Sequence, residues 1–355
     1  MSKDTFTWHP DQDDVYDGAM YGSTPLRGPF SAFDKIKGKS FTMNGDDDDT
    51  LTLLPTPGSE AFWGAPGIGD LDVTRISING GTLALKPPHG GSLMLGVGAG
   101  PEEQTIINIK GNFLVRQADV TGNTKSGFAQ GTFNILEGGR CSIAEGPYFS
   151  GSFAINIHDL GSMRVSADGV DINDGNYLAI GIADGDNPSL ELIASPSLAR
   201  PGSGYLQMIR HEIVCKSASV SRLRAKAMSL TDTTMRATDT ASLLIACDFI
   251  DFAGHTEFVV GQGSAAITFS GSAKKEAPFN IIENDYPKGL FNFITNEGAN
   301  NSTFRFLNIG SAFEFNKLQA TGVITIDGAP VTQNRCGYTF ETDGSDKYFV
   351  IFLKS

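Results

Sequence analysis

Between Thr105 and Ser166 the chain repeats one pattern three times: a short alternating strand, a turn at Gly or Asp, and a second alternating strand. The passages read TIINIKGNFLVRQ, GTFNILEGGRCSI and SGSFAINIHDLGSMRVS. Successive strand side chains point to opposite faces, so Ile107 and Ile109 share one face, as do Phe113 and Val115 after Gly111. Phe153, Ile155 and Ile157 do the same ahead of Met163 and Val165. A strand this short with one apolar face cannot stand alone, and no helical span intervenes to cover it. The pattern predicts an all-β chain in which each turn of strands covers the apolar face of the turn before, a parallel β-solenoid. Tandem β-sandwich or jelly-roll domains are the alternative that short alternating strands also permit.

The alternation starts at Val73 with VTRISIN, GTLALKP and GSLMLGV, spaced about nine to ten residues apart, so two strands make a turn of roughly 20 residues. It continues through NYLAIGI, SLELIAS, SLLIACDFIDF, TEFVVGQ and AAITFSG. FNIIEN, LFNFITNEG, STFRFLNIG, SAFEFNKL and GVITID follow, and read as further strands with Phe at inward positions. Glycine, at 42 of 355 residues, lies well above the usual ~7 per cent and supplies the turns. The predicted solenoid spans residues 73–335.

Residues 1–72 differ. Ten Asp and no Glu fall within the first 50 positions, and Pro10, Pro25, Pro29, Pro55, Pro57 and Pro66 interrupt every candidate element. This spacing predicts an extended arm or cap without regular strands, laying Phe6, Trp8, Phe33 and Phe41 onto its own first turn or onto a second subunit. Residues 336–355 predict a capping hairpin, with Tyr348–Leu353 apolar on both faces and so in need of cover on each.

Forty acidic against 27 basic residues give a formal charge of -13, which disfavours a nucleic-acid partner. Cys141, Cys215, Cys247 and Cys336 are far apart and sit in part within apolar runs, as free core cysteines do. The polar, acidic start lacks the order of a secretory signal, and no apolar run reaches the ~18 residues of a membrane span. The expected location is therefore cytoplasmic, virion-associated or outside the cell by a non-classical route, without membrane insertion.

The run of Gly-x-h-x-h turns, h being apolar, that ends in GVITIDGAPV before the closing hairpin resembles the parallel β-helix class of autotransporter passengers, adhesins and phage tail spikes. The resemblance covers residues 73–335 and rests on periodicity. It implies the solenoid fold, and surface-glycan binding as one possible role.

Candidate sites are few. Polysaccharide hydrolysis on such a fold would need paired carboxylates. Asp168, Asp171 and Asp174 are the best local supply, but nothing marks them as paired, so no catalytic residues or cofactor site are assigned. The same DGVDINDGN segment offers Asp168, Asp171, Asn173 and Asp174 as hard oxygen ligands for Ca²⁺. Between Tyr205 and Thr238 six basic residues meet two acidic ones, and in LRAKAM the alternation places Arg224 and Lys226 on one exposed face. The expected function is that of a structural protein, not an enzyme, that self-assembles into a homo-oligomer through its ends. Trp8, Phe33, Phe349 and Phe352 would dock there, and the acidic arm would meet Arg222, Arg224 and Lys226 of the next copy. Binding of a surface glycan is the alternative.

Overall fold

The computed structural model describes residues 4–29, 32–33, 35, 38–56, 61–63, 74–86, 93–95, 105–116, 126–128, 131–146, 149–151, 154–167, 169–172, 179–182, 186–196, 203–273, 276–295, 298–332 and 334–354. The described chain is mostly β, and its strands lie in parallel sheets. It divides into two compact units, residues 1–178 and 179–355.

In the first unit one parallel ladder contains Asp14–Asp17, Ser40–Asn44, Thr74–Ile78, Thr105–Ile109, Gly131–Ile135 and Ala154–Ile157. A second contains Thr24–Gly28, Thr50–Pro55, Thr82–Leu85, Asn112–Arg116, Arg140–Gly146 and Ser162–Ala167. A third takes Ala61–Trp63, Leu93–Leu95, Ser126–Phe128, Phe149–Gly151 and Gly169–Ile172. From Ser40–Asn44 onward each strand pairs with the third strand after it. The expected two-strand turn of roughly 20 residues is thus corrected to three strands, with ladder partners 26 residues apart at Asn108 and Asn134 and 22 apart at Asn134 and Asn156. Periodicity hid the third strand because these segments are only three to four residues long. The side chains named above, Ile107, Ile109, Phe113, Val115, Ile155, Ile157, Met163 and Val165, are all buried. Stacking is tight at the corners: a Cβ at Gly139 would lie under 3.0 Å from the carbonyl oxygen of Ile109.

The expectation that prolines exclude strands before residue 73 is also corrected. Thr24–Gly28 holds Pro25 and Thr50–Pro55 ends on Pro55, and the two strands pair in register, Pro25 opposite Thr52. Gly28 accepts a bond from the Thr56 amide across the ladder, so by alternation Pro25 turns its missing N–H toward the open edge of the first strand. Ser40–Asn44 pairs directly with Thr74–Ile78, so the predicted arm is built into the ladders.

A buried lysine organises the start of this unit. Lys35, 1 % exposed, donates to the carbonyls of His9 (2.6 Å) and Gln12 (2.9 Å) and to Asp14 Oδ2 (2.5 Å). All three ammonium protons therefore have oxygen acceptors. Burial lowers its pKa, and the bond to Asp14 opposes that shift. Asp14 also accepts from the His9 amide at 2.7 Å. Trp8 stacks on Phe41 with centroids 4.4 Å apart, faces Phe33 edge-on, and lies 4.8 Å from Lys35 Nζ.

In the second unit one ladder runs through Ala179–Ile182, Glu212–Cys215, Thr234–Asp239, Glu257–Gly263, Phe291–Phe293 and Ile324–Ile326. Another runs through Ser189–Ala194, Val220–Arg224, Ser242–Ala246, Ala266–Ser270 and Thr303–Leu307. The third has Tyr205–Ile209, Ala227–Thr231 and Phe249–Ala253. Arg210, Asp232 and Gly254 form one column of left-handed corner residues, with φ of 54°, 48° and 59°. Ser217, Asp239 and Gly263 form a second, and the 22-residue step recurs where Asp239 accepts from the Ser217 amide. Of the Phe residues expected to point inward, Phe279, Phe291 and Phe306 are buried here and interlock with Phe258 and Phe269, ring centroids 4.9–6.0 Å apart. Burial of each contributes roughly 1.5–3 kcal/mol.

Two expected strands are corrected. SAFEFNKLQA forms a helix, Ala312–Ala320, whose N-cap Ser311 accepts from the Glu314 amide. This is the Ser-x-x-Glu spacing of a capping box, a helix signal that the alternating Phe residues mask. FNIIEN is a turn. The C-terminal hairpin forms as expected from Cys336–Asp343 and Asp346–Leu353, and the latter lies between Thr303–Leu307 and its own hairpin partner, antiparallel to both. Phe349, Val350 and Ile351 are buried by that cover. All four cysteines are free and buried, and burial raises their pKa values, to about 11 at Cys215 and about 12 at Cys247.

Candidate functional site

The residues placed by sequence at an assembly surface separate in the structure. Trp8, Phe33 and Phe349 are buried in the chain's own fold, and Phe352 is half-buried opposite Thr303. Among the described residues the exposed aromatic rings are Phe313, Phe340 and Phe249. Of the calcium candidates, Asp168, Asn173 and Asp174 lie outside the described residues. Asp171 falls in Gly169–Ile172 opposite Ser150, its side chain outside the described set.

Arg222, Arg224 and Lys226 do come together, within the second unit. In Val220–Arg224 the alternation buries Leu223 and turns Arg222 and Arg224 outward. Ala225 buries its methyl at the corner, and its amide donates to Ala246 O. Lys226 is then tied by its backbone alone: its amide donates to Gly204 O at 2.7 Å, and its carbonyl accepts from the Asp248 amide at 2.9 Å. Its side chain is exposed.

The three cations differ in how they are satisfied. Arg222 pairs with Glu191 across the ladder at 3.3 Å. Arg224 and Lys226 form no ion pair among the described residues. Arg224 Nη2 reaches the Ser272 carbonyl, at 3.5 Å. Both line a cleft of about 510 Å³ with Ser195, Pro196, Asp248 and Ser272. Asp248 is held there as an acceptor, its Oδ1 taking bonds from the Ser272 amide (3.0 Å) and hydroxyl (2.8 Å). Among the described residues the cleft therefore offers two cations without an ion-pair partner and one fixed carboxylate, in a size range suited to a small polar ligand.

Sequence reasoning missed Asp248 and its neighbours. The 22-residue register exposes them: Ala227 pairs with Phe249, so Lys226 and Asp248 occupy equivalent corner positions, as Gly204 does one turn earlier ahead of Tyr205. Phe249 is 61 % exposed. It lines a second cleft, of about 480 Å³, together with Asp248, Glu276, Asn280, Asn284 and Tyr286.

Among the described residues no helix is long and apolar enough to cross a membrane. Comparison with family models, with curated proteins and with solved structures returns no match.

Proposed function

We propose that each unit is a parallel β-solenoid and that the protein is a structural and binding scaffold which holds an anionic ligand in the Arg224–Lys226 cleft. The solenoid reading is supported by parallel pairing of strands with the third one onward from Ser40–Asn44 to Phe249–Ala253 and by the repeated 22-residue register. The observation that carries the binding reading is the pair of cations left without a carboxylate partner among the described residues in a cleft, on a chain of net charge -13. Acidic side chains are abundant enough to neutralise them, as Glu191 does Arg222. An arginine stays protonated at any physiological pH and presents a planar fork to a carboxylate or similar group, so it holds an anion and does not trade protons with it. Retention of carboxylated, sulfated and phosphorylated polymers on immobilised protein tests the reading. Retention should weaken with salt and be lost in the Arg224→Ala/Lys226→Ala variant, whereas retention equal in that variant contradicts it.

A second reading, self-assembly, is favoured by one observation in the C-terminal hairpin. Cys336–Asp343 is the last strand of its ladder and eight residues long, and Phe340 on it is 44 % exposed. An open edge of that length accepts a strand from a second copy. Sedimentation velocity should then show an oligomer that Phe340→Asp dissociates.

A further inference from the structure

The ligand can be narrowed by what lies beside the two cations, an argument that rests on the binding role proposed for the cleft. Tyr205, Ala227 and Phe249 occupy one register column on the outward face of the third ladder of the second unit. The two rings are two strands apart, roughly 10 Å, with only a methyl group between them. A parallel column, Gln207, Ser229 and Asp251, lies two residues further along the same strands and is half-buried to exposed. Side by side, these columns form an apolar rail with a seat over Ala227 and a rail of hydrogen-bonding groups. The Lys226 and Asp248 corners immediately precede the apolar rail. Beyond Phe249 the second cleft continues with Glu276, Asn280, Asn284 and Tyr286.

We infer that this surface binds a carboxylate-bearing oligosaccharide. A sugar ring carries an apolar C–H face and a belt of hydroxyls, and the two rails divide in the same way: aromatic rings at Tyr205 and Phe249, amide, hydroxyl and carboxylate groups at Gln207, Ser229 and Asp251. The sugar's carboxylate goes to Arg224 and Lys226. Asp248 and Asp251 set the charge density of the ligand. Both can accept from hydroxyls, and both repel a polymer carrying a phosphate or sulfate on every unit, as does the net charge of -13. Carboxylates spaced among hydroxyls meet neither objection. The two clefts share Asp248, and Phe249 lines the second, an extent that fits a ligand of more than one sugar unit.

Calorimetric titration of the full-length protein tests this. The probes are a galacturonic acid trisaccharide, a sialylated trisaccharide, and the neutral counterpart of each. At least one acidic probe should bind at least about tenfold tighter than its neutral counterpart, with affinity falling as salt is raised. Phe249→Ala and Tyr205→Ala should each weaken that binding by about fivefold or more while leaving its salt dependence unchanged. Arg224→Ala/Lys226→Ala should remove both the preference for the acidic probe and the salt dependence. Binding of neither acidic probe, equal binding of the neutral counterparts, or indifference to both ring substitutions overturns the inference. If acidic polymers are nonetheless retained and the double cation variant loses them, the cleft remains an anion site and only the saccharide assignment falls. If that variant changes nothing, the anion site falls as well.

Discussion

Lys35 and Lys226 carry the same ammonium group in opposite circumstances. Around Lys35 the first unit supplies two carbonyls and a carboxylate, buries the side chain and sets the ammonium over the Trp8 ring. Around Lys226 the second unit ties down the backbone on both sides and leaves the ammonium exposed without a carboxylate partner among the described residues. The polar ladder of the first unit behaves like the Lys35 region: Asn156 donates to Asn134 and Asn134 to Asn108, each at 2.9 Å, so successive amides satisfy one another. Polar groups closed on their own chain hold the fold together. Those left open in a concavity are where a ligand can gain most.

This contrast can be broken in order of expected effect. Lys35→Met removes one partner of a buried ion pair and leaves Asp14, 7 % exposed, with His9 as its remaining partner among the described residues. The expected loss is about 3–5 kcal/mol in urea denaturation of the first unit, with no change in ligand affinity. Arg224→Ala/Lys226→Ala is the converse: about 2 kcal/mol of binding lost, since exposed charges contribute roughly 1 kcal/mol each, and a melting temperature close to wild type. A large stability loss in the cation variant would show that those side chains are structural and dissolve the distinction.

Smaller effects sharpen the same line. Asn134→Ala interrupts the amide ladder at its middle and should cost about 1–2 kcal/mol of stability, again without touching binding. The smallest effect belongs to Asp13, which accepts from the Ser40 amide at 2.7 Å and hydroxyl at 3.0 Å. These bonds lower its pKa below the ordinary 3.8, the backbone bond most. A carboxyl that is more acidic when folded favours the fold above its unfolded pKa, and that contribution is lost as pH falls through the folded value. Acid unfolding of wild type and Asp13→Asn should therefore converge at low pH, with the variant slightly less stable above pH 3.8.

Alternation made most of the strands legible, because Ile107, Phe113, Ile155 and Met163 obey a period-two rule that burial enforces. The same rule misread SAFEFNKL, where Phe313 and Phe315 alternate by coincidence on a capped helix that buries Phe315 and leaves Phe313 64 % exposed. Proline was over-weighted. Its cost in a sheet depends on which side the missing N–H faces, and at Pro25 that side is open, a property of pairing and not of composition. Lys35 gave no sign of burial, since its acceptors at His9, Gln12 and Asp14 lie 21 to 26 residues away. Arg224 and Lys226 were legible as an exposed pair. Their setting was not, because Asp248 and Phe249 become their neighbours only through the 22-residue register, which a two-strand turn of roughly 20 residues had obscured.

The most direct test is amine acylation of the native protein, read by mass spectrometry at individual lysines with and without a saturating galacturonic acid trisaccharide. The account predicts that Lys226 is modified readily in the free protein and protected when the saccharide is bound, while Lys35 stays unmodified in both. Equal modification of Lys226 in the two samples, or modification of native Lys35, would contradict it.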